Sequence, residues 1–248
     1  LGIPLRQAST TAPSAPRWSL DHLRFNADGA ASAQEVRRRI AGVFDSTTRT
    51  RLATAVMDAE PSVVARPAAS LIPPQTDDDP VDTAADAPRV GGDESLVLIH
   101  AATPVSATLA QHVAEALGNV GFAVRCITGE HEAGDAPTAA NWDIALSTHL
   151  PPWAGTGERV HVEAFVDDLA PAQAAMTQAL EAVAEPGRAS KHWREAEGVI
   201  LEHAHVVPLT FRAPSGPAVT SARVQPPLTL PALGDEVDLA ALRLTDAP

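Results

Sequence analysis

The stretch from Leu96 to Cys126 constrains the fold more than any other part of the chain. Leu96–His100 has the length and apolar content of a buried strand. Thr103-Pro104 then supplies a helix N-cap and a proline suited to the first helical position. Val105, Leu109, Val113 and Leu117 recur four apart along one helical face, and Gly121 offers a terminator. Phe122, Val124 and Cys126 alternate as a second strand. Strand, helix and strand in succession form a βαβ unit, which is expected to pair in parallel through a right-handed crossover. The chain is therefore expected to be α/β.

Further elements can be read on both sides of this unit. Leu20–Phe25 is a strand in which Leu23 and Phe25 alternate with His22 and Arg24. Ser32-Ala33-Gln34-Glu35 has the pattern of a capping box before a helix carrying Val36, Ile40, Val43 and Phe44. Arg37-Arg38-Arg39 is expected on the wet face of that helix. Asp45 is placed to cap a second helix bearing Leu52 and Val56. From Arg66 to Asp93 prolines, Asp77-Asp78-Asp79 and Gly91-Gly92 interrupt all periodicity, so residues 75–94 are expected to be a mobile acidic loop. A third strand is expected at Trp142–Ser147. Leu150–Arg159 is too rich in proline and glycine to be regular. Two helices follow, Pro171–Ala184 with Met176, Leu180 and Val183 on one face, and Ser190–His203 with Trp193, Ala196 and Ile200. Pro186-Gly187 is expected to separate them. Val206–Phe211 reads as the last strong strand, with a short one near Leu228–Leu230.

Composition excludes several functions. A net charge of −13 over 248 residues argues against a nucleic-acid partner, which needs a basic face to neutralise phosphates. The sequence has no apolar run long enough for a membrane helix. The single cysteine, Cys126, rules out an internal disulfide and any cysteine-based zinc cluster, and its apolar alternation predicts a buried, inert thiol. Arginine is used almost to the exclusion of lysine, Lys191 being the one exception, as in chains encoded by GC-rich genomes.

Catalytic signatures are missing. Pro214-Ser215-Gly216 lacks the strand–helix context of a nucleophile elbow, and no phosphate-binding glycine loop follows a strand. The nine histidines include no His-Glu-x-x-His pair, so neither a metal nor any other cofactor is expected. A hydrolase built on Asp143, His149 or Asp168 is the residual enzymatic alternative. Binding is better supported. Trp153 follows the expected third strand in a loop bracketed by proline and glycine, where ligands collect in open α/β sheets. Trp153 and His149 are therefore the candidate ligand contacts. Arg24 and Asn26 are added where the chain enters the domain, with interlobe hydrogen bonding as their other possible role.

Several segments in order resemble the family-5 extracytoplasmic solute-binding proteins. They are "HLRFNADGAASAQEVRRRIAGVFD" (His22–Asp45), "ARPAASLIPP" (Ala65–Pro74), "LVLIHAATPVSATLAQHVAEALGNVGFAVRC", "WDIAL" (Trp142–Leu146) and "REAEGVILEHAHVVPLTFR" (Arg194–Arg212). The resemblance implies a type II periplasmic-binding-protein-like lobe with a mainly parallel sheet flanked by helices, as a fragment of a two-lobed protein. On that map residues 1–23 end lobe I and form a crossing strand, 24–205 make lobe II, and 206–248 return to lobe I. The arginine and alanine bias further resembles an actinobacterial subset whose members are lipid-anchored outside the plasma membrane. That subset implies a role in phosphatidylinositol-mannoside and lipoarabinomannan synthesis, with a membrane glycosyltransferase as a partner. The alternative it implies is import of a peptide or other small solute with an ABC permease. Ser147–Ala170 is shorter than the matching stretch of the transporters and lacks tyrosine.

Overall fold

The computed structural model describes residues 18–73, 94–129, 141–150, 159–166, 169–214, 229–230 and 236–237. Its elements are β1 (Ser19–Phe25), α1 (Gln34–Val43), α2 (Ser46–Ala59), β2 (Val63–Pro67), β3 (Ser95–His100), α3 (Pro104–Gly118), β4 (Ala123–Thr128), β5 (Ile144–His149), α4 (Arg159–Glu163), α5 (Ala170–Glu181), α6 (Pro186–Glu202), β6 (Val206–Pro214), β7 (Thr229–Leu230) and β8 (Glu236–Val237). Strands β1 to β6 form one sheet in the order β2-β6-β1-β5-β3-β4, and β7 pairs with β8.

The expected βαβ unit is present. Leu96 pairs with Val124 and Leu98 with Cys126 in a parallel ladder, and β5 joins β3 in parallel on the other side. The ladders β1–β5, β1–β6 and β2–β6 are antiparallel, so the sheet is mixed. β3 and β4 are joined by the helical crossover α3, whereas β1 lies centrally between two strands far from it in sequence.

Helices cover both faces. On one side α1, α2 and α3 pack Val36, Ile40, Leu52, Val56, Leu109 and Val113 against Leu23, Leu96, Leu98, Leu146 and Leu209. On the other, α4, α5 and α6 pack Val162, Ala175, Trp193 and Ile200 against Leu20, Val206 and Phe211. A bulge in β6 opposite Asp21 and His22 sets the register between the two cores. Arg49, buried on α2, donates its Nε–H to the Pro208 carbonyl at that bulge, 3.1 Å away. Its burial lowers the guanidinium to about 10, with the Asp45 charge opposing the shift.

Helix starts follow the sequence at two sites. Asp45 accepts from Thr48 N–H at 2.7 Å, and the Thr103 hydroxyl accepts from Ser106 N–H at 3.2 Å. The Ser32 capping box does not form. Ala33 occupies the N-cap position without a side-chain bond, and the Ser32 carbonyl is taken by Arg37. The arginine triplet is tethered rather than simply solvated. Arg37 also donates to the His203 carbonyl, Arg38 donates to the Glu202 carbonyl, and Arg39 pairs with Glu94. Two of the three thus satisfy carbonyls at the C-terminus of α6, where cations oppose the helix dipole.

Other differences have local causes. β2 is a strand not expected from the sequence, and its last two residues, Arg66 and Pro67, fall in what reads as the start of an irregular crossing. Pro67 is tolerated because it ends an edge strand. Pro186 opens α6 from its first turn instead of separating two helices. In α5 the buried residues are Ala172, Ala175 and Ala179, while Leu180 and Val183 are exposed. Small side chains let α5 approach its neighbour closely, which displaces the larger apolar stripe outward. Cys126 is exposed because β4 is an edge strand. The acidic stretch 75–94, apart from Glu94, lies outside the described residues.

Candidate functional site

The carboxyl ends of β3 and β5 lie side by side, and the strand order reverses there, with β4 on one side of β3 and β5 on the other. Such a reversal opens a crevice beyond the strand ends in α/β sheets. His100 ends β3, His149 ends β5, and the antiparallel β1 brings Leu20 opposite His149. Thr148 and His149 point to opposite faces of the sheet, so the strand end carries two distinct polar groupings.

The grouping on the α1–α3 side centres on Asp21. Its Oδ1 accepts from the Thr148 hydroxyl and from Arg212 Nη2, both at 2.8 Å, and its Oδ2 accepts from the Thr210 hydroxyl at 2.6 Å. Arg212 Nη2 also donates to Thr148 Oγ1 at 2.9 Å, and Nη1 lies 3.8 Å from Glu60. Asp21 is buried in the middle of the sheet, so three donors are what make its ionised form tolerable there.

The grouping on the α4–α6 side is a set of three histidines. His161 Nε2 faces the Trp18 carbonyl at 3.1 Å, and its Nδ1 lies 2.8 Å from His149 Nδ1. A carbonyl only accepts, so His161 carries its proton on Nε2, and His149 must donate from Nδ1 to the bare Nδ1 of His161. His149 then presents an unprotonated Nε2. His22 donates from Nδ1 to the Leu20 carbonyl at 3.2 Å, leaving a buried Nε2 without a partner. Ser147 Oγ, on the residue opposite His22 in the ladder, is likewise unpartnered. Phe165 packs edge-on against His22 and His149, with ring centroids 4.7 and 5.7 Å away. Desolvation lowers His22 to about 3 and, with the neighbouring His149 adding to it, His161 to about 3; it lowers His149 as well. All three are neutral at pH 7.

The structure separates the sequence candidates. His149 is half-buried at the strand end. Arg24 and Asn26 lie at the other end of β1, four and six residues beyond His149's partner Leu20, so about 13–20 Å away along the strand. Asn26 is a turn anchor: its Nδ2 donates to the Trp142 carbonyl at 2.8 Å and its Oδ1 accepts from Asp28 N–H at 3.1 Å. Asp143 clamps backbone on two sides, accepting from Ala30 N–H and Val97 N–H at 2.6 and 2.7 Å. Trp153 and Asp168 fall outside the described residues. Asp21, His22, His161 and Arg212 are absent from the sequence candidates. The signal that could have found the first two is an adjacent Asp-His pair inside an otherwise apolar strand. Among the described residues no group of three or more His, Cys, Asp or Glu side chains is disposed to hold a metal ion.

Solved structures share this fold. A clavulanic acid biosynthesis oligopeptide-binding protein matches 94% of the chain with a TM-score of 0.64 at 17% identity. The Escherichia coli murein tripeptide-binding protein MppA matches 94% with a TM-score of 0.61 at 14% identity. A dipeptide-binding protein from Pseudoalteromonas sp. SM9913, solved with Met-Leu, matches 93% with a TM-score of 0.59 at 16% identity. The fold is that of the solute-binding proteins. The chain spans about half the length of these three, 47%, 49% and 49% respectively. No family model matches the sequence, and no curated protein does. All three neighbours are named as binding proteins, and a similar structure of MppA is described as periplasmic. No described helix is long and apolar enough to cross a membrane. In this solute-binding fold the two polar groupings mark the strand end where β1, β5 and β6 meet.

Proposed function

We propose that the chain is a non-enzymatic ligand-binding module of the extracytoplasmic solute-binding kind, which takes a peptide or comparably small solute at the carboxyl ends of β3 and β5. The observation that carries this reading is the strand-order reversal at β3, set in a fold shared with three peptide-binding proteins. His149 is the assigned ligand contact within the described residues, and Trp153, four residues further on, is proposed beside it. Arg24 and Asn26 are assigned to holding the chain at the far end of β1. The proposed location is outside the plasma membrane behind a lipid anchor, with an ABC permease as partner. The sequence resemblance to the mycobacterial lipoprotein LpqW supports a narrower form, service to lipoarabinomannan synthesis with a glycosyltransferase partner. None of the three structural neighbours' names carries that form.

Calorimetric titration with di- and tripeptides and with mannosylated phosphatidylinositols tests the reading. A bound ligand at 100 times its Kd adds about 2.7 kcal/mol to stability. Saturable binding to the wild type that weakens at least tenfold in both His149→Ala and Trp153→Ala supports the assignment. Binding that neither substitution alters removes the site. Absence of binding by every member of both sets removes the function.

A further inference from the structure

We propose that His22, His149 and His161 form an acid-sensitive latch, which holds α4 and the Phe165 turn on the β1–β5 ladder while uncharged and releases them on protonation. The geometry is a single chain of hydrogen bonds. Trp18 C=O accepts from His161 Nε2, and His161 Nδ1 accepts from His149 Nδ1. His161 has one proton and two partners that fix where it sits. A second proton on its Nδ1 meets His149 Nδ1 at 2.8 Å, so His149 must then carry its own proton on Nε2. Once both imidazoles are charged, two Nδ1–H groups face each other and the link between α4 and β5 is broken. A second proton on His22 would lie on a buried Nε2 with no acceptor. His149 alone has an Nε2 free to take a proton without losing a bond in the chain, but its charge would then lie against His161 and Phe165.

Among the described residues the surroundings supply no counter-charge. The charges acting on His22 are those of Arg24, His149 and His161, and each opposes a further proton. On β1, the neighbouring Asp21 points to the opposite face and is committed to Arg212, Thr148 and Thr210. On β5 the facing residue is Ser147, and on β6 it is the Phe211 ring, 5.7 Å from His161. On α4, Glu163 is exposed. On α6, Glu197 is bound to Ser70 and to the Leu71 amide at 2.6 Å. Desolvation therefore holds the three imidazoles below their ordinary basicity when docked. Once α4 lifts and water enters, they recover a value near 6.5. Each recovered imidazole favours the open form up to tenfold per pH unit below 6.5. Between pH 7.5 and 5.0 this amounts to about thirtyfold for one imidazole and about a thousandfold for two.

Amide hydrogen exchange on the whole chain, corrected for intrinsic chemical rates, tests the latch at pH 7.5 and 5.0. Residues 159–166 are expected to lose thirtyfold or more of their protection at pH 5.0, with α3 unchanged as the internal reference. Equal protection at both pH values overturns the proposal. The double substitution His149→Gln, His161→Gln keeps donors and acceptors in place without a titrating group, and is expected to abolish the pH dependence. If that variant is docked at pH 7.5 and still releases at pH 5.0, the proposal fails. If it is already open at pH 7.5, the wild-type imidazole resonances decide instead. His22 and His161 that stay neutral in the docked form at pH 5.0 support the latch, and charged, docked imidazoles overturn it.

Discussion

Arg212 lies 191 residues beyond Asp21 in the chain, yet its Nη2 sits 2.8 Å from the Asp21 carboxylate across the β1–β6 ladder. The pair fastens the last strand of the main sheet to its central one. Asp21 also accepts from Thr148 on the opposite neighbour, so one carboxylate spans three strands. Removing one member of a buried pair costs about 3–5 kcal/mol, because the survivor is left without a partner. Asp21→Ala is expected to lose that much in urea unfolding. The double variant Asp21→Ala, Arg212→Met is expected to recover a large part of the loss, since it leaves no stranded guanidinium. Strictly additive losses would show that the pair is not coupled.

Gly29 tests a different close approach. A Cβ at that position would lie 2.8 Å from Asp143 Oδ1 and 3.1 Å from Asp143 Cα, and the second atom is backbone that cannot swing aside. Gly29→Ala is therefore expected to force the turn away from β5 and to weaken the Ala30 N–H bond to Asp143. A loss of about 1–3 kcal/mol fits such overpacking. Thermal unfolding reads it, and a variant as stable as the wild type would mean that the turn moves freely.

Helix capping gives a smaller and cleaner effect. Asp45 accepts the Thr48 amide and its charge supports the buried Arg49. Asp45→Ala is expected to cost about 1–2 kcal/mol. Asp45→Asn, which keeps the cap oxygen but not the charge, is expected to recover part of that loss. Equal losses in the two variants would assign the whole effect to charge.

These residues show what the sequence makes legible. Thr103-Pro104 and Asp45 mark helix starts because a cap is a contact within three residues. The βαβ unit is visible because its strands are joined by one helix. The central place of β1 is not visible, since its neighbours β5 and β6 are brought to it from more than a hundred residues away. The inward face of α5 is ambiguous because alanines and large apolar residues both repeat at helical spacing, and only close approach to α6 selects the alanines. The site divides in the same way. His149 stands out because it lies between an expected strand and a proline-rich loop, although the strand itself runs on to include it. Its partner His161 belongs to a five-residue helix with no periodic signal, and Asp21 gains its meaning only from Thr210 and Arg212.

Cys126 illustrates how an edge strand changes chemistry that alternation alone would misassign. It follows the apolar beat of Phe122 and Val124, but among the described residues β4 has no neighbour beyond it, and the residue is exposed. Its Sγ rests 3.7 Å from the Ala110 carbonyl, and partial burial raises the thiol above its ordinary value. Exposure and a raised pKa act in opposite directions on alkylation. The folded protein is expected to react with iodoacetamide without denaturant, because the sulfur is accessible. At pH 7.5 the rate is expected to fall several-fold below that of free cysteine, because only the thiolate attacks and less of it is present. The rate should keep rising as pH climbs through the range where free cysteine has already levelled off. Following mass addition against pH in folded and urea-unfolded protein separates the two effects, since unfolding restores ordinary acidity. A folded-state rate equal to the unfolded one at every pH would show that neither α3 nor its Ala110 carbonyl influences the thiol.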